Sequence, residues 1–313
     1  MNAFSSDELT KSDREKMLEF FEAAREKMTR EDIEGAIKDI ERSIVLDPSY
    51  APIYNLRGII KAKSGAYNDS IVDFNKAIDL DPNFRFPYIN RGEARNDLGE
   101  FKNAIKDFDK AIEMYPADSR TYFHRGMAKN NIGELDAAIE DYSQAIQLEP
   151  GNANTYYNRA KTKEDLKDFT GSLEDYNRYV DLKPGDADGW YNRGNVKINL
   201  HDPIGAIDDY NKSIELNPRF ASAFNNRGNT KRDLKNNDGA LRDFNKALEM
   251  DQSDYAAYCN RGILKIKLKD LHGAIEDFKK AYALNPDDPH TRYNLDLAVK
   301  KARRLGYNQL LFN

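Results

Sequence analysis

The 313-residue chain holds one cysteine, one tryptophan, 11 prolines and 18 glycines. A lone Cys259 can form neither an internal disulfide nor a multi-cysteine zinc site, which suits a reducing compartment. No stretch approaches the roughly 18 to 20 apolar residues of a membrane helix, and the opening MNAFSSDELTKSDREK has no apolar signal core. The expectation is a soluble, cytoplasmic chain without membrane insertion. Basic residues are not in excess either: 48 stand against 53 acidic ones, net −5, with a pI near 5.6, so the electrostatic footprint of a nucleic-acid binder is missing. Phosphate-loop, HExxH and GxSxG motifs are lacking. His124, His201, His272 and His290 fall at unrelated places, so no catalytic residue, metal ligand or cofactor site is expected, and the protein is read as a non-enzyme.

What the chain does have is polar balance with enough large side chains to fold. Apolar residues make up 40%, charged residues 32%, and mean hydropathy is −0.82, while 15 Phe and 18 Tyr are too many for a disordered chain. That combination suits an elongated array in which every layer keeps a wet face.

The array is visible as a 34-residue period. Gly58, Gly92, Gly126, Ala160, Gly194, Gly228 and Gly262 keep it, as do Pro48, Pro82, Pro116, Pro150, Pro184, Pro218 and Pro286, with Gln252 the one substitution. Residues 17–288 divide without insertion into eight units: 17–50, 51–84, 85–118, 119–152, 153–186, 187–220, 221–254 and 255–288. Each reads as two amphipathic helices, the second closed by the proline. Small residues (Ala36, Ser70, Ala104, Ala138, Ser172, Ala206, Ala240, Ala274) precede large ones (Ile40, Phe74, Phe108, Tyr142, Tyr176, Tyr210, Phe244, Phe278) at fixed spacing, a pattern that interlocks neighbouring helices.

With an aromatic at position 4 (Tyr54, Tyr88, Tyr122, Tyr156, Trp190, Phe224, Tyr258), Gly at 8, Ala at 20, an aromatic at 24, Ala at 27 and Pro at 32, the chain resembles the tetratricopeptide repeat across residues 17–288. The resemblance implies an all-α fold, a right-handed superhelical α-solenoid of antiparallel helix pairs approaching one full turn, with first helices lining a concave groove. Position 27 departs from Ala at Ser43, Tyr179 and Ser213, and Tyr179 is expected to disturb packing between the fifth and sixth repeats. Beyond the repeats, 289–304 reads as a C-terminal capping helix with Tyr293 and Leu295 facing inward. Residues 1–16 form a leader and helix start: Ser12 and Glu15 suggest a capping box, and residues 1–11 are expected to fray. The tail 305–313 carries Leu310, Leu311 and Phe312, which either dock in a groove or fray.

Three side-chain series are candidates for function. Position 6 is Asn90, Asn158, Asn192, Asn226, Asn260 and Asn294, interrupted by His124. Asn is a mediocre helix former, so its return asks for a cause. The resemblance implies a ladder that clasps an extended peptide; bonding to neighbouring helices is the other reading. Position 5 brings Phe123, Tyr157 and Tyr191 to the same groove, as interface anchors or as space fillers. No Lys at position 5 provides the family's carboxylate clamp, although Asn195 with Asn226, or Asn229 with Asn260, retains half of one.

The third series is charged. Arg57, Arg91, Arg125, Arg159, Arg193, Arg227 and Arg261 occupy position 7, and Asp39, Asp73, Asp107, Asp141, Asp175, Asp209, Asp243 and Asp277 occupy position 23, with Lys or Arg at position 11. The series reads as a structural ladder in which each Arg lies between the Asp of its own repeat and that of the repeat before, a basic binding stripe being the alternative. Charge also differs between the ends: residues 1–50 hold 13 acids and 8 bases, and residues 255–313 hold 6 acids and 11 bases. The function expected is a non-catalytic scaffold or adaptor for a partner protein or peptide; the alternative is self-assembly through head-to-tail or tail-in-groove contacts.

Overall fold

The computed structural model describes residues 10–305, and the chain divides after Thr162 into two compact units. Among the described residues there are seventeen α-helices and no strand. The first unit holds α1 (Lys11–Thr29), α2 (Ile33–Leu46), α3 (Ala51–Lys63), α4 (Tyr67–Leu80), α5 (Arg85–Asp97), α6 (Phe101–Met114), α7 (Ser119–Asn131) and α8 (Leu135–Leu148). The division falls within α9 (Ala153–Asp165). The second unit continues with α10 (Phe169–Leu182), α11 (Ala187–Asn199), α12 (Pro203–Leu216), α13 (Ala221–Asp233), α14 (Asn237–Met250), α15 (Tyr255–Lys267), α16 (Leu271–Leu284) and α17 (Pro289–Arg304). Within each unit helices pack on their chain neighbours, and first helices of successive repeats also touch, as α3 with α5 and α13 with α15.

The repeat's core is a large side chain seated against a small one. Phe74, Phe108, Tyr142, Tyr210, Phe244 and Phe278 are almost fully buried. A Cβ on Gly58 would sit 2.5 Å from the Phe74 ring, so the glycine at position 8 is the gap that lets the first helix approach the second. The link to the next repeat is polar: Tyr54, Tyr88, Tyr156 and Trp190 at position 4 donate to the carbonyls of Pro48, Pro82, Pro150 and Pro184, at 3.0 to 3.3 Å.

The turn inside each repeat has one backbone and two chemistries. Position 15 is left-handed throughout, and the N–H at position 16 bonds back to the carbonyl at position 11, as in Ala66 to Lys61 and Asp202 to Lys197. In repeats two to four the left-handed residue is Gly65, Gly99 or Gly133. In the others it is Glu31, Lys167, His201, Lys235 or Lys269, and there Asp or Asn at position 16 caps the second helix by accepting from the glycine N–H three residues on, at 2.9 to 3.0 Å.

Three sequence expectations are corrected. Tyr179 does not disturb its surroundings: it is 5% exposed, its ring lies where a Cβ on Gly189 would be, 2.5 Å away, and its hydroxyl donates to Asp186. The large residue at one position is matched by glycine at another. Helix α1 is capped by Thr10, which accepts from the Asp13 N–H, rather than by Ser12, and Lys11 is already helical. In α17 Leu295 packs on the core with Ala298 and Ala302, but Tyr293 is 66% exposed, because Thr291 takes the buried place beside Cys259. Leu310, Leu311 and Phe312 lie outside the described residues.

Candidate functional site

The charged ladder has the more regular geometry. In six repeats the guanidinium forks onto the Asp of its own repeat, Nε to one oxygen at 2.9–3.0 Å and Nη2 to the other at 2.6 Å: Arg57–Asp73, Arg91–Asp107, Arg125–Asp141, Arg193–Asp209, Arg227–Asp243 and Arg261–Asp277. The cation at position 11 reaches the same carboxylate; Lys61, Arg95, Lys129, Lys163 (on Asp175), Lys197, Lys231 and Lys265 do so at 2.6 to 2.9 Å. Each of these buried carboxylates therefore has its lone pairs engaged, which is the condition for leaving a charge out of water. The hydrogen bonds that Arg57 donates to Asp73 hold its guanidinium above its ordinary pKa. In the first repeat, where Ala23 replaces the Arg, Asp39 is held by Lys27 and Arg42.

For six of the seven Arg residues the backward partner differs from the one expected. Nη1 bonds to position 25 of the preceding repeat, not to the Asp at position 23: Arg91 to Asn75, Arg125 to Asp109, Arg159 to Ser143, Arg193 to Asn177, Arg227 to Asn211 and Arg261 to Asn245, at 2.5 to 3.0 Å. Position 25 lies about half a helical turn from position 23, which turns its short polar side chain toward the next repeat. The signal in the sequence was a run of six short hydrogen-bonding residues at one phase. The guanidinium also covers the position-4 ring three residues before it, Arg57 on Tyr54 at 5.5 Å and Arg193 on Trp190 at 4.5 Å.

The position-6 amides face the preceding first helix. Asn90 donates to Asn55 at 2.9 Å, Asn260 to Asn225 at 3.1 Å, and Asn226 to both Tyr191 and Asn195, at 3.0 and 2.9 Å. Asn158 instead bonds to the carbonyl of Asn154 in its own helix, and Asn192 and Asn294 are half-buried on α11 and α17. His124 continues the pattern in another chemistry: Nε2 lies 3.1 Å from Glu93, which also pairs with Arg120, and burial pushes the imidazole below its ordinary pKa of 6.5.

Position 5 lies deeper than a groove-lining reading expects. Asn55, Ile89, Asn225 and Cys259 are buried between first helices, and Phe123, Tyr157 and Tyr191 are half-buried, Tyr191 against Phe220 and Tyr210. Burial pushes the Cys259 thiol up, which disfavours the reactive thiolate.

In the second unit the amides meet at a groove of about 540 Å³ between α11, α12 and α13. Asn195, Asn199, Asn226, Asn229 and Asp233 line it with Ile198 and Pro203, and Oδ1 of Asn229 is buried with no partner among the described residues. A smaller groove of about 250 Å³ in the first unit brings Asn90 beside Glu93, Asp97 and Arg120. Among the described residues no cluster of His, Cys, Asp or Glu could hold a metal, and no helix is long and apolar enough to cross a membrane.

Family models agree with the period. One described as TPR repeat matches residues 128–166, and others described as tetratricopeptide repeat match 51–84, 87–118, 153–186, 187–220, 221–254 and 255–288. The chain belongs to the tetratricopeptide repeat family. Similar solved structures include the C-terminal part of a TPR repeat-containing protein from Cytophaga hutchinsonii (17% identity, TM-score 0.65, 76% of this chain and 98% of that one). The APC/C hetero-tetramer Cut9–Hcn1 aligns at 20% identity and TM-score 0.56 over 85% of this tetratricopeptide array, which spans only 52% of that chain. YrrB, a TPR protein with an unusual peptide-binding site, aligns at 23% identity and TM-score 0.51 over 59% and 96% of the two chains. At such identities the likeness is one of fold. No curated protein sequence matches. The tetratricopeptide fold supports a role in protein interaction in general.

Proposed function

We propose that the protein is a non-catalytic scaffold that holds a partner polypeptide along its first helices. The supporting observation is the amide-lined groove on α11, α12 and α13, with its unpartnered Asn229 oxygen. A carboxamide offers donor and acceptor together and so can clasp a peptide unit whatever side chain that unit carries. Asn90, Asn158, Asn192, Asn260 and Asn294 repeat the phase of Asn226, and Phe123, Tyr157 and Tyr191 add aromatic area beside it. The lone, buried Cys259 accords with a cytoplasmic setting.

Asn229→Ala is the cleanest probe, since it removes a groove amide without breaking an inter-repeat bond. Partners co-purified from the native source and identified by mass spectrometry supply the ligand. Asn229→Ala should then weaken binding by about 0.5 to 1.5 kcal/mol with helicity unchanged. Unaltered affinity in this variant and in one with Asn158, Asn192, Asn226 and Asn260 all replaced by Ala rejects the reading. A second copy is the alternative partner, favoured by the opposite charge of the two ends; a mass that rises with protein concentration in light scattering would support it.

A further inference from the structure

At the end of the second unit, α15 and α17 enclose a groove of about 630 Å³. Its floor is Ile266 and Leu297, and its rim is Lys300, Lys301, Arg303 and Arg304. The capping role of α17 is met by other residues: Ala298 and Ala302 are fully buried, with Leu295 and Val299 beside them, while Leu297 remains 44% exposed. The cations are equally unclaimed. The long-range ion pairs of the last repeat join Arg261 and Lys265 to Asp277, and none of the four rim cations has an acidic partner among the described residues. Each of the other grooves described includes a carboxylate, Asp233 in one and Glu93 with Asp97 in another; this one has none. Cations suit the C-terminal end of a helix, which accounts for some of the charge but not for an apolar floor beneath it.

We propose that this groove binds an acidic polypeptide segment bearing a large apolar side chain, at a site separate from the amide-lined groove. The apolar side chain would rest on Ile266 and Leu297 while its flanking carboxylates meet the lysines and arginines. An anion alone would leave the floor wet, and an apolar segment alone would cover cations without pairing them. Only the combination satisfies both halves of the groove.

The probe is a fluorescent synthetic peptide of Asp and Glu around a central Leu-Phe pair, followed by anisotropy with the full chain. Saturable binding is expected, weakening as NaCl is raised. Lys300→Glu with Lys301→Glu should reduce affinity at least about tenfold with the circular dichroism unchanged. Replacing the peptide's Leu-Phe by Ala-Ala should weaken it comparably, and Asn229→Ala should leave it unaltered, so this site and the proposed scaffold face fail separately. Absence of saturable binding overturns the proposal, as does equal binding of the Ala-Ala peptide or of an oligothymidylate strand. Binding seen only after Leu310, Leu311 and Phe312 are changed to Ser would give the groove to the chain's own tail and also overturn it.

Discussion

His201 holds φ at 59° and Lys235 at 64°, in a region that costs an ordinary L-residue about 1 kcal/mol or more, whereas Gly65, Gly99 and Gly133 hold the same turn without that cost. The non-glycine turns coincide with an Asp or Asn cap at position 16 and a glycine at position 19. A Cβ on Gly205 would lie 2.2 Å from the Asp202 carboxylate, so the cap itself demands that second glycine. His201→Gly should therefore stabilise the chain by about 0.5 to 1 kcal/mol, with the cap retained, in urea unfolding. Asp202→Ala should cost about 1 kcal/mol through the lost cap, and an unchanged midpoint would refute its role. His124 gives a pH dependence of known sign. Its folded pKa lies below 6.5, so the unfolded chain takes up the proton first as pH falls; stability is full above about pH 6.5 and declines below it. His124→Asn, which restores the residue typical of that phase, should remove this component of the acid sensitivity when thermal midpoints are compared across pH.

Helix α10 meets α11 through Tyr179 and Gly189, a size exchange that can be tested as a pair. Gly189→Ala should destabilise by about 1 to 3 kcal/mol through overpacking and Tyr179→Ala by about 3 to 5 through a cavity. The double variant should cost less than the sum, and strict additivity in a double-mutant cycle would contradict the packing. The ladder works across the same elements. Arg193→Ala leaves Asp209 with Lys197 alone and Asn177 without its donor, so a loss of about 1 to 3 kcal/mol is expected, with coupling to Asp209 larger than to Asn177. Helix pairs, their small-on-large core and the own-repeat Arg–Asp fork were legible in the sequence, since each follows from residues recurring at one phase. Legibility ended where a partner had to be chosen among several residues on neighbouring turns. Position 25 rather than 23 as the backward contact depends on helix rotation, and the fit of Tyr179 depends on Gly189, ten residues away, which a position-by-position comparison with the repeat pattern counts as two separate departures. The site was legible as a phase, not as a surface: position 6 is polar as expected, but Asn90, Asn226 and Asn260 bond sideways to positions 5 and 9 of the preceding first helix, while Asn229 keeps a buried Oδ1 with no partner among the described residues.

Among the described residues the main contacts within each unit run from helix to neighbouring helix or to the next first helix, so stability is largely a sum of local terms, and the last described helix rests mainly on the two helices α16 and α15. Helix α17 is that last helix, and a native reporter lies beneath it. Cys259 is 9% exposed and its Sγ lies 2.8 Å from Oγ1 of Thr291, on the first turn of α17, so a thiol reagent gains access chiefly when α17 lifts or the unit unfolds. Ala298 and Ala302 are fully buried in the same contact, and a carboxylate at Ala298 could be hydrated only by breaking it. Ala298→Asp should therefore raise the rate of Cys259 labelling by a maleimide at least about tenfold, the ratio that corresponds to some 1.4 kcal/mol of lost docking energy. Global loss of structure would give the same labelling, so circular dichroism must retain the helicity of the remaining sixteen helices for the result to report on α17. Labelling at the rate of a free thiol in the unaltered chain would show that α17 does not close the array, and equal slow rates in both chains would show that Ala298 does not hold it.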